Sequence, residues 1–157
     1  MLPKWHILLG FLYSIFVYYF FNLNIFFSSI IFLSSFLIDF DHYLYYVVNK
    51  QDINLKRAYG WFKEFSKKYQ KLSKKQKTVY KRSIIIFHGI EFFILIILLS
   101  FYYKIFLFIL IGISFHILLD FISIIHEKEP ISTKLSFIYN LKRNKNKKSI
   151  KTIYIIQ

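Results

Sequence analysis

Four long stretches of apolar residues alternate with polar or strongly basic segments along the chain. They cover residues 5–21, 25–48, 84–101 and 105–125. Each is close to the ~20 residues that a helix needs to cross the hydrocarbon core of a bilayer. The pattern predicts an all-α fold, a four-helix transmembrane bundle that forms one membrane domain over residues 1–157. No small-x-small cleavage site follows the first stretch, so we interpret it as a retained helix and not as a signal peptide.

The segment between the second and third stretches, residues 50–82, has a different periodicity. Its apolar residues recur at steps of three and four, and lysines fill the opposite face. The apolar positions are Leu55, Tyr59, Phe62, Phe65, Tyr69 and Leu72. The pattern predicts a basic amphipathic cytoplasmic helix on an anionic membrane surface, with a soluble helical hairpin as the alternative. In the basic tail, residues 126–157, we interpret the charge run from Lys142 to Lys151 as solvated and flexible.

Composition favours a membrane protein over a soluble basic protein. Apolar residues make up 56% of the chain and aromatic residues 22%, more than a soluble domain of 157 residues uses. The net charge of +14 would suggest nucleic acid as the partner of a soluble protein. Here the basic residues lie between apolar runs, so we expect anionic lipid headgroups at the basic loop and no nucleic acid. A protein partner is not predicted. Cysteine is absent, which excludes disulfides and thiolate metal ligands.

The distribution of Lys and Arg predicts the orientation of the four spans. If all four stretches cross the membrane, 21 of the 22 basic residues lie on the side that holds both termini and the long loop. Only Lys104 lies on the other side. Cytoplasmic loops carry such an excess of positive charge. We therefore expect a multi-pass protein of the inner, cytoplasmic membrane with both termini in the cytoplasm.

Ionisable groups inside the predicted spans gather at one level of the membrane. His6 begins the first span, and the others are Asp39, Asp41 and His42 in the second, His88 and Glu91 in the third, and His116 and Asp120 in the fourth. At 1.5 Å per residue they lie roughly 5–14 Å below the inner boundary. His88 and Glu91, and likewise His116 and Asp120, have the spacing of one helix face. Asp41 points away from Asp39 and His42 on an ideal helix, so it requires a helix irregularity or another partner.

A divalent metal ion explains why a membrane protein would keep these groups. A charge near the bilayer centre costs at least ~2.5 kcal/mol unless it is paired, hydrated or bound to a cation. Imidazole and carboxylate suit Zn²⁺ best, and Mn²⁺ or Fe²⁺ are also compatible. The set is large enough for one or two ions. The expected ligands are His6, Asp39, Asp41, His42, His88, His116 and Asp120. His126 stands at the boundary among charged residues, and we interpret it as a surface residue.

A resemblance to a known family supports the same interpretation. The segments WHILLG, LIDFDHYLYY, FHGIE and FHILLD occur in that order on four apolar stretches. They resemble the predicted membrane-bound metal-dependent hydrolases related to the LexA-binding inner-membrane-associated hydrolases, in a small archaeal-type form. The resemblance implies a metal site built from the seven residues named above, with hydrolysis as the activity. More distantly, the arrangement is similar to helical zinc-dependent phospholipases C.

A metal-dependent hydrolase is accordingly the expected function. Glu91 is the predicted general base and Asp41 the alternative, because each is a carboxylate beside the predicted ligands. The depth of the site suggests a lipid or lipid-linked phosphoester as substrate. Two alternative functions are a metal-ion or proton transporter, and a non-catalytic membrane adaptor in which the metal ion only holds the helices together. Transport is disfavoured because the outer halves of the third and fourth stretches are almost wholly apolar.

Overall fold

The computed structural model describes residues 3–73, 85–126 and 136–145. All regular structure in these ranges is α-helical, so the all-α prediction is confirmed. The helices are α1 (Pro3–Phe20), α2 (Ile25–Leu37), α3 (Phe40–Lys50), α4 (Leu55–Gln70), α5 (Ile90–Ser100), α6 (Lys104–His126) and α7 (Phe137–Asn144). Asparagine or serine side chains cap the N-termini of α2, α4 and α7 by accepting backbone N–H bonds, which satisfies donors that a first turn leaves unpaired.

Helix α2 lies at the centre and packs most extensively against α6 and α1. Small residues allow the close approach. A Cβ atom added at Gly10 would overlap Ser35, and one added at Gly112 would lie 2.4 Å from the Ile31 carbonyl oxygen. The Ser28 hydroxyl of α2 donates to the Ser14 carbonyl of α1 at 2.8 Å. Close packing of small residues is typical of helix contacts in an apolar environment, where backbone approach replaces the burial of large side chains.

The second predicted span is interrupted where the candidate site begins. Helix α2 ends at Leu37 and α3 begins at Phe40, with Ile38 and Asp39 between them. At this point Asp39 N–H bonds to Phe36 O and His42 N–H bonds to Asp39 O, a three-residue spacing that tightens the turn. The break supplies the irregularity that the position of Asp41 requires.

The third predicted span also differs from its expected bounds. Residues 85–89 form bends and turns, and α5 starts only at Ile90, after Gly89. The prediction that His88 and Glu91 share one helix face is therefore wrong, because His88 precedes the helix. A Cβ added at Gly89 would lie 2.5 Å from Oε2 of Glu91, so a larger residue here requires the Glu91 carboxylate to move, while the nearest backbone atoms are at ordinary contact distance.

Outside the bundle, α4 confirms the main part of the predicted amphipathic loop helix; residues 74–84 lie outside the described part. Trp61 stacks on Phe65 with ring centroids 5.5 Å apart, and both belong to the face that meets α3. The tail is not wholly irregular, since residues 137–144 form α7, and this corrects the flexible-tail interpretation at its start. Residues 146–157 lie outside the described part.

Two helical stretches are long and apolar enough to cross a membrane. One is the 26-residue stretch Ile25–Lys50, taken across the break, and the other is the 22-residue stretch Lys104–Ile125. Only 28% and 33% of their most apolar windows are buried. Helix α5 is apolar but shorter, at 11 residues.

Candidate metal centre

Two helices, one helix break and one turn bring five of the seven sequence-predicted ligands together at one end of the bundle. His6 comes from the first turns of α1, Asp39 from the break between α2 and α3, His88 from the turn before α5, and His116 and Asp120 from α6. These side chains are buried except Asp39, which is half-buried. The expected convergence in one layer is therefore present in the structure, and the described residues contain three groups that could hold a metal ion.

Two imidazoles and two carboxylates form the centre of this cluster. His88 Nε2 and His116 Nε2 lie 3.0 Å apart. His88 Nε2 is 3.4 Å from Asp39 Oδ1 and 3.7 Å from Asp120 Oδ2. His116 Nε2 is 3.6 Å from Asp39 Oδ1 and 3.7 Å from Asp120 Oδ2. A tetrahedral zinc site with bonds of about 2.0–2.1 Å has ligand–ligand edges of about 3.3–3.4 Å. The five separations given above, 3.0–3.7 Å, lie near this length, and His88, His116 and Asp120 together form one group compact enough for an ion.

The partners of the other two ring nitrogens decide which nitrogens face the centre. His116 Nδ1 lies 2.8 Å from the Ser35 carbonyl oxygen, and His88 Nδ1 lies 3.1 Å from Asp41 Oδ2. A carbonyl and a carboxylate accept hydrogen bonds, so both Nδ1 atoms carry their proton and donate. In neutral imidazoles this leaves a lone pair on each Nε2.

In that neutral form two lone pairs face each other across 3.0 Å beside two carboxylates and repel one another, whereas a proton carried by one Nε2 would make the same contact a hydrogen bond. A cation between them turns the repulsion into coordination, which is the arrangement produced in known metal sites by acceptors that bond the other ring nitrogen of each histidine ligand. The donor set therefore fits a divalent metal ion on the basis of its chemistry as well as its spacing.

Two further histidines flank this centre. His6 stacks on His116 with ring centroids 4.1 Å apart, and His6 Nε2 lies 3.5 Å from Asp120 Oδ1. His6 Nδ1 is buried without a hydrogen-bond partner among the described residues. His42 Nε2 lies 3.6 Å from Asp39 Oδ1, and its ring meets Phe62 of α4 edge-on at 5.6 Å. The groups His6–Asp39–His116 and Asp39–His42–His88 are each compact enough for one ion.

The two predicted base candidates occupy different places. Asp41 is buried against His88, and Asp41 Oδ2 also accepts the backbone N–H of Phe87 at 3.0 Å. Glu91 faces the other way: it accepts the Ser136 hydroxyl and the backbone N–H groups of Phe137 and Ile138. Neither carboxylate belongs to the three compact metal-ligating groups.

Exposure within the described cluster is concentrated on two side chains. The side chain of His42 is 28% exposed and that of Asp39 is 17% exposed. The side chains of His6, Asp41, His88, His116 and Asp120 are at most 7% exposed. The most accessible part of the described cluster therefore lies at the break between α2 and α3, where Phe40 is also exposed.

Sequence reasoning missed two groups that shape the site. The Ser35 carbonyl fixes the tautomer of His116, but a backbone acceptor has no signature in the sequence. Ser136 pairs with Glu91 across 45 residues and starts α7 as its N-cap. Serine before a short amphipathic run is a capping signal that could have indicated this helix.

Comparison of the chain with family models, curated proteins and solved structures gives no match. Fold and site therefore rest on the sequence and the geometry described above, and the family resemblance stays an expectation.

Proposed function

We propose that this chain is a membrane-embedded, metal-dependent hydrolase that acts at the inner membrane face on a lipid or lipid-linked phosphoester. One observation carries the proposal. Two imidazoles with hydrogen-bonded Nδ1 atoms, His88 and His116, converge with two carboxylates, Asp39 and Asp120, inside a helical bundle built mainly from apolar residues. Polar groups of this kind in an apolar bundle are costly and are kept where they serve function.

The membrane setting is supported by the outer surface of the bundle. Large apolar side chains of α1 face outward, with Phe11 49%, Leu12 53% and Phe16 57% exposed. The core helix of a soluble protein would be mostly buried, whereas only 28% and 33% of the most apolar windows of the two span-length helices are buried. In the proposed topology four spans cross the inner membrane, and the charge distribution puts both termini in the cytoplasm.

Lipid at the inner face is the proposed partner of the basic segment. Helix α4 ends with Lys67 and Lys68 in its last turn, and Leu55 and Tyr59 are exposed on it. Lysine beside exposed apolar surface suits the layer of anionic headgroups.

We propose Asp39, His88, His116 and Asp120 as the residues that hold the ion, with Zn²⁺ first and Mn²⁺ or Fe²⁺ as alternatives. His6 and His42 complete this set, or take part in a second site through the second oxygen of Asp120 or through Asp39. An ion held by these residues would supply Lewis-acid chemistry, by polarising a phosphoryl oxygen and making a water molecule more acidic.

The residues of the chain would bind and orient the substrate at the break between α2 and α3. Asp39 and His42 are the two most accessible members of the cluster, so the phosphoryl group would approach there. The exposed ring of Phe40 beside them offers apolar surface for an acyl chain. Glu91 stays the predicted general base and Asp41 its alternative; Glu91 must exchange its contacts with residues 136–138 to serve that role.

Elemental analysis and a lipid phosphoester assay on the full chain in detergent test the proposal. We expect about one or two divalent ions per chain, and hydrolysis that a chelator abolishes and added metal restores. His116→Asn should lose both the ion and the activity, while the matched control His126→Asn, outside the predicted site, should keep both. Absence of bound metal in the wild-type chain would overturn the proposal. Stoichiometric metal without turnover on a panel of lipid phosphoesters would overturn the hydrolase and favour the adaptor.

A further inference from the structure

Asp41 differs from the other acids of the cluster in what its oxygens touch. Asp41 Oδ2 accepts from two donors, His88 Nδ1 at 3.1 Å and the Phe87 backbone N–H at 3.0 Å. These two donors saturate the oxygen that faces the site. Asp41 Oδ1 is buried and has no hydrogen-bond partner among the described residues. Both Asp39 and Asp120, in contrast, lie within 3.7 Å of the Nε2 lone pairs of His88 and His116.

From this geometry we infer that Asp41 is a positioning residue of the metal centre and does not ligate the ion. It holds the proton of His88 on Nδ1 and thereby aims the Nε2 lone pair at the centre. The inference deepens the proposed function and rests on it, since it concerns the same metal site. It departs from the sequence expectation that Asp41 is a ligand.

The placement of Asp41 explains how His88 is oriented although it stands outside a helix. Residues 85–89 form bends and a turn in which Gly89 N–H donates to Ile86 O, and α5 starts only after them. Asp41 bonds the backbone at Phe87 and the ring of His88 with the same oxygen, so it fixes the turn and the imidazole together. The Ser35 carbonyl does the same for His116 from α2. Each imidazole therefore has one orienting acceptor, as histidine ligands of metal sites commonly have.

The position of Asp41 at the start of α3 allows it to orient His88. Asp41 is the acid of the first turn of α3, two residues after Asp39. The break at Ile38–Asp39 leaves Asp39 facing the centre and turns Asp41 toward residues 87–88. One helix start thus provides one carboxylate for the ion and one for the imidazole that binds it.

Metal titration of the full chain in detergent separates a positioning residue from a ligand. The variants are Asp41→Asn and, as the matched ligand control, Asp39→Asn. Asparagine keeps an acceptor oxygen for His88 and Phe87 but removes the negative charge, so Asp41→Asn should still bind the wild-type number of ions with roughly 10- to 100-fold lower affinity. The visible d–d spectrum of bound Co²⁺ should stay as in the wild type, because the ligand atoms are unchanged. Asp39→Asn should alter that spectrum.

Three results would overturn the inference. A Co²⁺ spectrum of Asp41→Asn changed in the same way as that of Asp39→Asn would make Asp41 a ligand. An affinity within about twofold of the wild type would remove any positioning role. Absence of metal in the wild-type chain would overturn the proposed function as well as the inference. This result is seen in the wild type, whereas the first two are seen only in the variants.

A second measurement needs no variant of Asp41 and so does not depend on its folding. Nitrogen-15 NMR of histidine-labelled, metal-loaded chain, assigned by loss of signal in His88→Gln, should show a protonated Nδ1 and a metal-bound Nε2 for His88. Coordination through Nδ1 would contradict the inference.

Discussion

Gly112 offers the sharpest test of how helix packing holds the metal centre. An alanine Cβ at this position would lie 2.0 Å from Ser34 Oγ and 2.4 Å from the Ile31 carbonyl oxygen. The serine hydroxyl can rotate away, but the carbonyl belongs to the backbone of α2. Ordinary contact begins near 3.4 Å, so α2 and α6 must separate by about 1 Å, the difference between 3.4 and 2.4 Å. Overpacking of this kind costs roughly 1–3 kcal/mol of the free energy of unfolding.

The same displacement should reach the site, because Ser35 of α2 accepts the hydrogen bond from His116 of α6 at 2.8 Å. Gly112→Ala should therefore lower the thermal unfolding midpoint of the detergent-purified chain and weaken its metal affinity. The matched control is Gly60→Ala in α4, where an added Cβ meets no atom within 4 Å. That substitution should raise stability by about 0.5–1 kcal/mol, since alanine restricts the unfolded chain and favours helix, and should leave metal affinity unchanged. Equal midpoints for Gly112→Ala and the wild type would refute this account of the α2–α6 contact.

Three further predictions concern the ion, the terminal helix and the α3–α4 corner. A saturating divalent ion at about 100 times its Kd should stabilise the chain by about 2.7 kcal/mol, seen as a higher unfolding midpoint; His116→Asn should lose that increment, and an unchanged increment would exclude His116 from the site. Ser136→Ala should cost α7 about 1 kcal/mol by removing its N-cap, with faster hydrogen exchange at the Tyr139 amide; unchanged exchange would contradict the cap. Hydrogen bonds from the Tyr46 hydroxyl and the backbone of Asn54 hold the pKa of Asp52 below its usual value. The resulting stabilisation is present above the unfolded-state pKa of about 3.9 and is lost as the pH falls through the lower folded-state pKa. Tyr46→Phe should therefore raise the Asp52 pKa in a carboxyl NMR titration. It should also destabilise the chain at neutral pH but not at strongly acidic pH.

The sequence by itself determined the helical fold and the layer in which the ionisable residues lie. Apolar length predicts the helices, and the i, i+4 spacing of His116 and Asp120 predicts that they share a face of α6, as they do at 3.7 Å. Both properties are local, because helix periodicity and residue spacing do not depend on how distant segments pack.

Tertiary structure decided which atoms face one another. The distances from His88 to Asp41, His116 and Asp39 join parts of the chain that are 28 to 49 residues apart. These distances depend on a helix break at Asp39 and a turn at His88, and no proline at either position predicts them. Two hydrogen-bonded pairs also follow only from packing: Glu91 with the start of α7, and the Ser35 carbonyl with His116. A backbone acceptor or a distant cap leaves no periodic pattern in the sequence.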